Sequence, residues 1–248
     1  MAPLTRVPQV SWATLRNRLA ADWEPGEHVT LVGPTGSGKT HAAVTLAEMR
    51  QHVLVLATKR KDPLVTGLSK DGYKVVENLD DILWTEDSRG RTKPVNPKVV
   101  YWPRVPDKTA AAQAVKMQAK RFGDAMQWAE ETGQWAVLID ETMFMHDHLA
   151  LKKELNSLWY QGRTQGISLI ACAQRPAYVP KLAFSQATYI FLWQTGDKGD
   201  LERLRDIAAG IPRGIIEDNV TRLDWKKHEA LFVDTRTKSL ARVVFPPR

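Results

Sequence analysis

The chain has 248 residues, 43 % hydrophobic and 25 % charged, and its 35 basic and 28 acidic residues leave a formal net charge of +7. This composition excludes a chain too polar to bury a core and suits one large domain with a small appendage. The single cysteine, Cys172, excludes an internal disulfide framework, and no run of ~18 apolar residues is available for a helical membrane span.

Residues 1–6 lack the apolar core of a secretion signal, so a soluble cytoplasmic protein is expected. Residues 11–23 read as a helix with Trp12, Leu15, Leu19 and Trp23 on one face, closed by Pro25-Gly26. The apolar run 28–32 predicts a first strand. It leads directly into Gly33-Pro34-Thr35-Gly36-Ser37-Gly38-Lys39-Thr40, and a helix over 41–49 follows.

This octapeptide satisfies G-x-x-x-x-G-K-[ST] in its required strand–loop–helix setting. Its glycines let successive backbone N–H groups converge on a phosphate, and the helix N-terminus adds positive potential. Lys39 is expected on the β- and γ-phosphates of ATP and the Thr40 hydroxyl on Mg²⁺.

A second strand is predicted at 53–57, then a charged turn at 59–63, a polar region, and a short third strand at 98–102 bracketed by Pro94, Pro97, Pro103 and Pro106. A helix over 108–132 carries Val115, Ala119, Phe122, Met126 and Ala129 at helical spacing and stops at Gly133. The fourth strand, 135–139, runs into Asp140-Glu141. A helix over 149–160 precedes Gly162-Arg163, and the fifth strand spans 167–173 before Gln174. Cys172 lies inside that apolar run and reads as a buried small residue. A sixth strand at 189–193, a helix over 199–209 and a hairpin formed by 230–233 and 241–245 complete the chain. Apolar strands alternating with helices predict an α/β fold around a mostly parallel sheet.

Chemistry concentrates at strand ends. Asp140 is expected to hold Mg²⁺, and Glu141 to orient and deprotonate an attacking water. Gln174, at the same carboxyl edge, can touch both that water and the γ-phosphate. Arg163, and alternatively Arg175, could stabilise phosphoryl charge in a neighbouring subunit. His146-Asp147-His148 lacks a third ligand and reads as loop. Between Ser88 and Lys108 six basic residues face the single acid Asp107, which permits a polyanionic partner as well as a solvated loop.

Taken together, the phosphate loop, Val137-Leu138-Ile139-Asp140-Glu141, Gly162-Arg163-Thr164-Gln165-Gly166 and Ala173-Gln174-Arg175-Pro176 resemble the FtsK–HerA superfamily of DNA-pumping ATPases, over about residues 28–210. The turn from Thr58 to Pro63 is similar as well. The resemblance implies a RecA-like core with an additional strand, sheet order 5-1-4-3-2, helices on both faces and a C-terminal β-hairpin. It divides the chain into an N-terminal helical segment (1–26), the ATPase core (27–210) and a hairpin extension (211–248).

It further implies a pentameric or hexameric ring that hydrolyses ATP with Mg²⁺ and threads double-stranded DNA. On this basis Lys39, Thr40, Asp140, Glu141 and Gln174 take the nucleotide, metal, base and sensor positions, and Arg163 the position acting in trans. The resemblance is strongest to compact phage packaging ATPases, which would dock on a viral portal in the host cytoplasm, away from any membrane. Basic loops at 89–104 or Lys152-Lys153 would touch the DNA backbone. The alternatives are a P-loop ATPase for phage assembly, secretion or plasmid DNA transfer, and a small-molecule kinase.

Overall fold

The continuously apolar segments lie side by side in one sheet, since a strand apolar on both faces is satisfied only between two helical layers. The computed structural model describes residues 7–59, 63–106, 108–205, 207, 210–212 and 214–246. Its first half contains β1 (Gln9–Val10), α1 (Trp12–Asp22), β2 (His28–Val32), α2 (Lys39–Ala47), β3 (Val53–Leu56), α3 (Pro63–Lys70), β4 (Lys74–Val76), β5 (Trp84–Glu86), β6 (Thr92–Pro94), β7 (Lys98–Tyr101) and α4 (Ala111–Thr132). The second half adds β8 (Ala136–Ile139), α5 (Lys152–Gln161), β9 (Ser168–Ala173), α6 (Lys181–Ser185), β10 (Ala187–Trp193), α7 (Lys198–Leu204), α8 (Ile215–Val220), β11 (Glu229–Asp234) and β12 (Ser239–Val244). Parts of the readings above fall outside the described residues: Met1 to Arg6, Arg60 to Asp62 in the charged turn, Asp107, and Asp206, Ala208 and Ala209 of the helix predicted over 199–209.

The main sheet runs β1-β12-β11-β10-β2-β9-β8-β3-β7-β4. From β10 through β4 every neighbouring pair is parallel, whereas β11 and β12 return antiparallel. The α/β class and the parallel core are as expected. The order needs a correction. Counted along the chain with 98–101 as strand three, the observed order is 6-1-5-4-2-3. That third strand adds at the outer edge of β3 instead of entering between the strands that carry the site. Without it, the five inner strands β10-β2-β9-β8-β3 read 5-1-4-3-2.

Helices cover both faces. Leu54, Leu56, Val137 and Ile139 point into one buried layer with Phe122, Met126, Leu155 and Leu158. Val53, Val55, Ala136 and Leu138 point into the other with Leu15, Leu19, Ala43 and Leu46. Caps fix the ends of these helices. The Ser11 hydroxyl accepts from the Thr14 N–H at the start of α1, and α4 ends where Gly133, at φ 65°, returns its N–H to Ala129. Cys172 is fully buried, and burial pushes its thiol well above the ordinary range, as its small-residue reading requires.

The polar stretch between the second and third predicted strands holds α3, β4 and the β5–β6 hairpin, none of which was anticipated. Their hydrophobic periods are too short to register, and the hairpin is fixed by a distant contact. Trp84 packs on Trp128 and Trp135 with ring centroids 5.9 and 6.4 Å away.

His28, only 2 % exposed, ties three elements together. Its Nδ1 accepts from the Leu169 N–H at 3.0 Å, and its Nε2 faces the Trp159 carbonyl oxygen at 3.2 Å. This pairing uses the neutral ring with the proton on Nε2. Burial lowers its pKa from 6.5 to about 4. Because the folded value lies below the unfolded one, the stabilisation is complete above pH 6.5. It is lost as the pH falls through the interval down to about 4, up to roughly 3 kcal/mol. Urea unfolding of the wild type and His28→Gln should show a fall in stability across this interval that is shallower in the variant.

Candidate functional site

The parallel register brings four strand ends to one edge. Val32 pairs with Ala173, Ile139 with Ala171, and Leu56 with Ile139. The Gly33 N–H donates to the Ala173 carbonyl at 3.1 Å, so the phosphate loop starts directly beside Gln174. Gly33 must be glycine here, since a Cβ would lie 2.7 Å from Trp193 Cβ. Gly38 turns at φ +91° and hands the chain to α2.

A cleft of about 350 Å³ opens above this edge. It is lined by the loop, including Pro34, Thr35, Gly36 and Gly38, and by the predicted side chains. Lys39 is 7 % exposed at its floor. The Thr40 hydroxyl donates to Asp140 Oδ1 at 2.6 Å, and Gln174 Nε2 donates to Glu141 Oε2 at 2.6 Å. The structure therefore brings together Lys39, Thr40, Asp140, Glu141 and Gln174. Ser37 Oγ is buried in the loop beside Gly33 without a hydrogen-bond partner among the described residues, and Ser37 does not line the cleft.

These donors fit Mg²⁺. A hydroxyl and a carboxylate are the hard oxygen ligands it prefers, and Thr40 and Asp140 would hold it together with the nucleotide's phosphates. Among the described residues no cluster of three or more His, Cys, Asp or Glu side chains could hold a metal by itself. His146-Asp147-His148, read from sequence as loop, lies instead in a π-helical turn, where His146 Nδ1 meets Asp147 Oδ1 at 2.5 Å.

Arg163 is not in this cleft. It lies on the turn before β9, at the amino edge of the sheet, where Gly26 packs so closely that a Cβ would sit 2.7 Å from Arg163 Cα. The six residues of β9 separate Arg163 from Gln174 by about 20 Å of strand. Arg175 adjoins Gln174 but is engaged within its own chain. It pairs with Asp197 at 2.7 Å and with the buried Asp200 at 3.3 Å, which raise its pKa and fix it as a strut.

Two cleft residues were not singled out from sequence. Lys59, seen only as part of a charged turn, reaches Asp140 Oδ2 at 3.1 Å. His228 arrives from the turn before β11, and a Cβ on Gly38 would lie 3.2 Å from its own Cβ. No local signal marks it.

The basic window between Ser88 and Lys108 is split by β7. Arg91 and Lys93 lie at the amino edge with the β5–β6 hairpin, around Arg50, His52 and Trp135. Arg104 lies at the carboxyl edge, paired with Glu77 at 3.3 Å.

No protein-family model and no curated protein matches the chain. Solved structures do. The genome packaging NTPase B204 from Sulfolobus turreted icosahedral virus 2, in complex with AMPPCP, aligns at TM-score 0.60 and 16 % identity over 90 % of this chain and 99 % of that one. VirB4 of Thermoanaerobacter pseudethanolicus aligns at TM-score 0.61 and 13 % identity over 89 % of each chain. The pCW3 conjugation coupling protein TcpA, with ATPγS, aligns at TM-score 0.51 and 14 % identity over 89 % of this chain and 60 % of that one. The chain shares the fold of these solved structures, and the α/β fold expected from its motifs is borne out.

If Asp140 holds the cation, Asp140→Asn should raise the Mg²⁺ concentration needed for half-maximal nucleotide binding by about 10–100-fold. A fluorescent-nucleotide titration against Mg²⁺ measures this, and an unchanged midpoint would remove Asp140 from the metal role.

Proposed function

We propose that this chain is a Mg²⁺-dependent ATPase that acts as a motor on double-stranded DNA, working as a homo-oligomeric ring in viral genome packaging. The observation that carries the hydrolytic part is the Glu141–Gln174 hydrogen bond beside the Thr40–Asp140 pair. It holds a carboxylate next to the expected phosphate position, poised to accept a proton from water. Bound Mg²⁺ would supply charge neutralisation across the phosphates. Lys39 and the loop N–H groups would hold those phosphates, while Glu141 orients and deprotonates the attacking water. Gln174, shared between Glu141 and the cleft, would release or restrain that base according to which nucleotide is bound. A kinase would need to exclude the water that Glu141 is placed to hold, which disfavours that alternative.

The position of Arg163 supports the ring. An arginine at the amino edge cannot reach the cleft of its own subunit, whereas a head-to-tail neighbour can present it to the next one. The likeness to the packaging NTPase B204 over nearly its whole length supports genome packaging among DNA motors. A second reading, ATP-driven DNA transfer or secretion, is favoured by the likeness to the conjugation coupling protein TcpA and to the type VII secretion ATPase EccC. In either case duplex phosphates would meet basic side chains without base readout. Among the described residues no helix is long and apolar enough to cross a membrane.

Glu141→Gln should bind ATP within about threefold of wild type and lose at least about 100-fold in turnover. Wild-type turnover should rise on adding long duplex DNA, and the stimulation should fade as salt increases. Steady-state phosphate release measures both. Turnover indifferent to DNA at every salt concentration would contradict the motor reading.

A further inference from the structure

Lys59 is a second cation of the phosphate cleft, and the chemistry described so far gives it no part. Its Nζ lies 3.1 Å from Asp140 Oδ2, while the Thr40 hydroxyl donates to the other oxygen of the same carboxylate at 2.6 Å. The carboxylate of this pair is buried, whereas the Lys59 side chain remains 52 % exposed. Lys39 and Lys59 therefore both face the cleft, one buried in the loop and the other half in solvent.

The backbone beneath Lys59 is held from several sides. The Ala57 N–H donates to the Tyr101 carbonyl at 3.0 Å, and Trp102 Nε1 donates to the Lys59 carbonyl at 2.8 Å. Gln118 Nε2 reaches the Thr58 carbonyl at 3.5 Å. With the main chain fixed, the flexible four-carbon stem is the part that can turn. Lys59 also borders a neighbouring cavity of about 470 Å³, lined by Trp102, Arg104 and Gln118, which gives that stem room.

Two electrostatic effects of opposite sign follow from this position. An ammonium in contact with Asp140 weakens that carboxylate's pull on a divalent cation, because like charges held within a few ångströms repel. The same ammonium in a phosphate cleft attracts polyphosphate and offsets part of its charge directly.

We propose that Lys59 is a positioning residue that sets how strongly nucleotide binding depends on Mg²⁺. Its ammonium, shared between Asp140 and the phosphates, performs part of the charge neutralisation otherwise left to the metal ion. The proposal rests on the assignment of Asp140 to the metal and extends that site by one residue. A lysine that only braced Asp140 would act in the opposite direction, since its loss would misplace the carboxylate and weaken the metal-dependent part of binding.

The test compares the dissociation constant of a fluorescent ATP analogue for the full chain in EDTA with that in saturating Mg²⁺. Their ratio reports the metal dependence. Lys59→Met, which keeps the length of the stem without its charge, should raise this ratio by about threefold or more, mainly by weakening binding in EDTA. Lys59→Gln should repeat the rise, so that a packing fault in one variant does not decide the outcome. Lys59→Arg, which keeps the charge, should stay within about twofold of the wild type. A ratio unchanged or lowered in both uncharged variants would overturn this proposal while leaving Asp140 in the metal role. A Lys59→Arg ratio as high as that of Lys59→Met would overturn charge as the cause. If Asp140→Asn left the ratio at the wild-type value, the metal role of Asp140 would fall, and this proposal with it.

Discussion

Four neighbouring parallel strands, β2, β9, β8 and β3, end at the same level, and the cleft depends on that register. Each strand is followed by one chemical element of the site: the phosphate loop, Gln174, Asp140-Glu141 and Lys59. Main-chain pairing such as Gly33 to Ala173 fixes these elements relative to one another before any side chain is considered. A slip of one residue in β8 would turn every buried side chain of that strand to the opposite layer, so the packed layers on both faces enforce the register. The burial of Val137 and Ile139 against α4 and α5 on one face, and of Leu138 against Ala43 and Leu46 of α2 on the other, therefore keeps Thr40 within hydrogen-bond reach of Asp140.

The sheet also separates two chemistries. Its carboxyl edge gathers Lys39, Asp140 and Glu141, and its amino edge carries Arg163 with the basic β5–β6 hairpin. On the proposed reading, stacking subunits head to tail would bring the amino edge of one against the cleft of the next. In such a ring a loop arginine far from its own cleft would come within reach of the next one. Arg175, by contrast, is clamped between Asp197 and Asp200 within its own chain.

Much of the site was legible in the sequence because each piece combined a motif with a secondary-structure context. The phosphate loop sat between a strand and a helix. Asp140-Glu141 and Gln174 closed apolar runs, and parallel strands carry such endings to one edge. Other features were illegible for physical reasons. His228 is brought to Gly38 by the pairing of β11 with β10, which no local pattern encodes. The basic window looked continuous because β7, only four residues long, carries the chain from one edge to the other within it. The β5–β6 hairpin owes its place to Trp84 docking on Trp128 and Trp135, a contact between segments far apart in sequence. The strand order went astray at the same point, since nothing local distinguishes β7 as an outer strand.

The claim that a working site is assembled from two subunits is tested most directly by complementation. Lys39→Ala and Arg163→Ala chains, each devoid of turnover alone, would be mixed before assembly and assayed for ATP hydrolysis. The account predicts that the mixture regains measurable turnover, because the intact cleft of an Arg163→Ala subunit can meet Arg163 from a Lys39→Ala neighbour. A mixture as inactive as either parent, although mixed oligomers form, would contradict it.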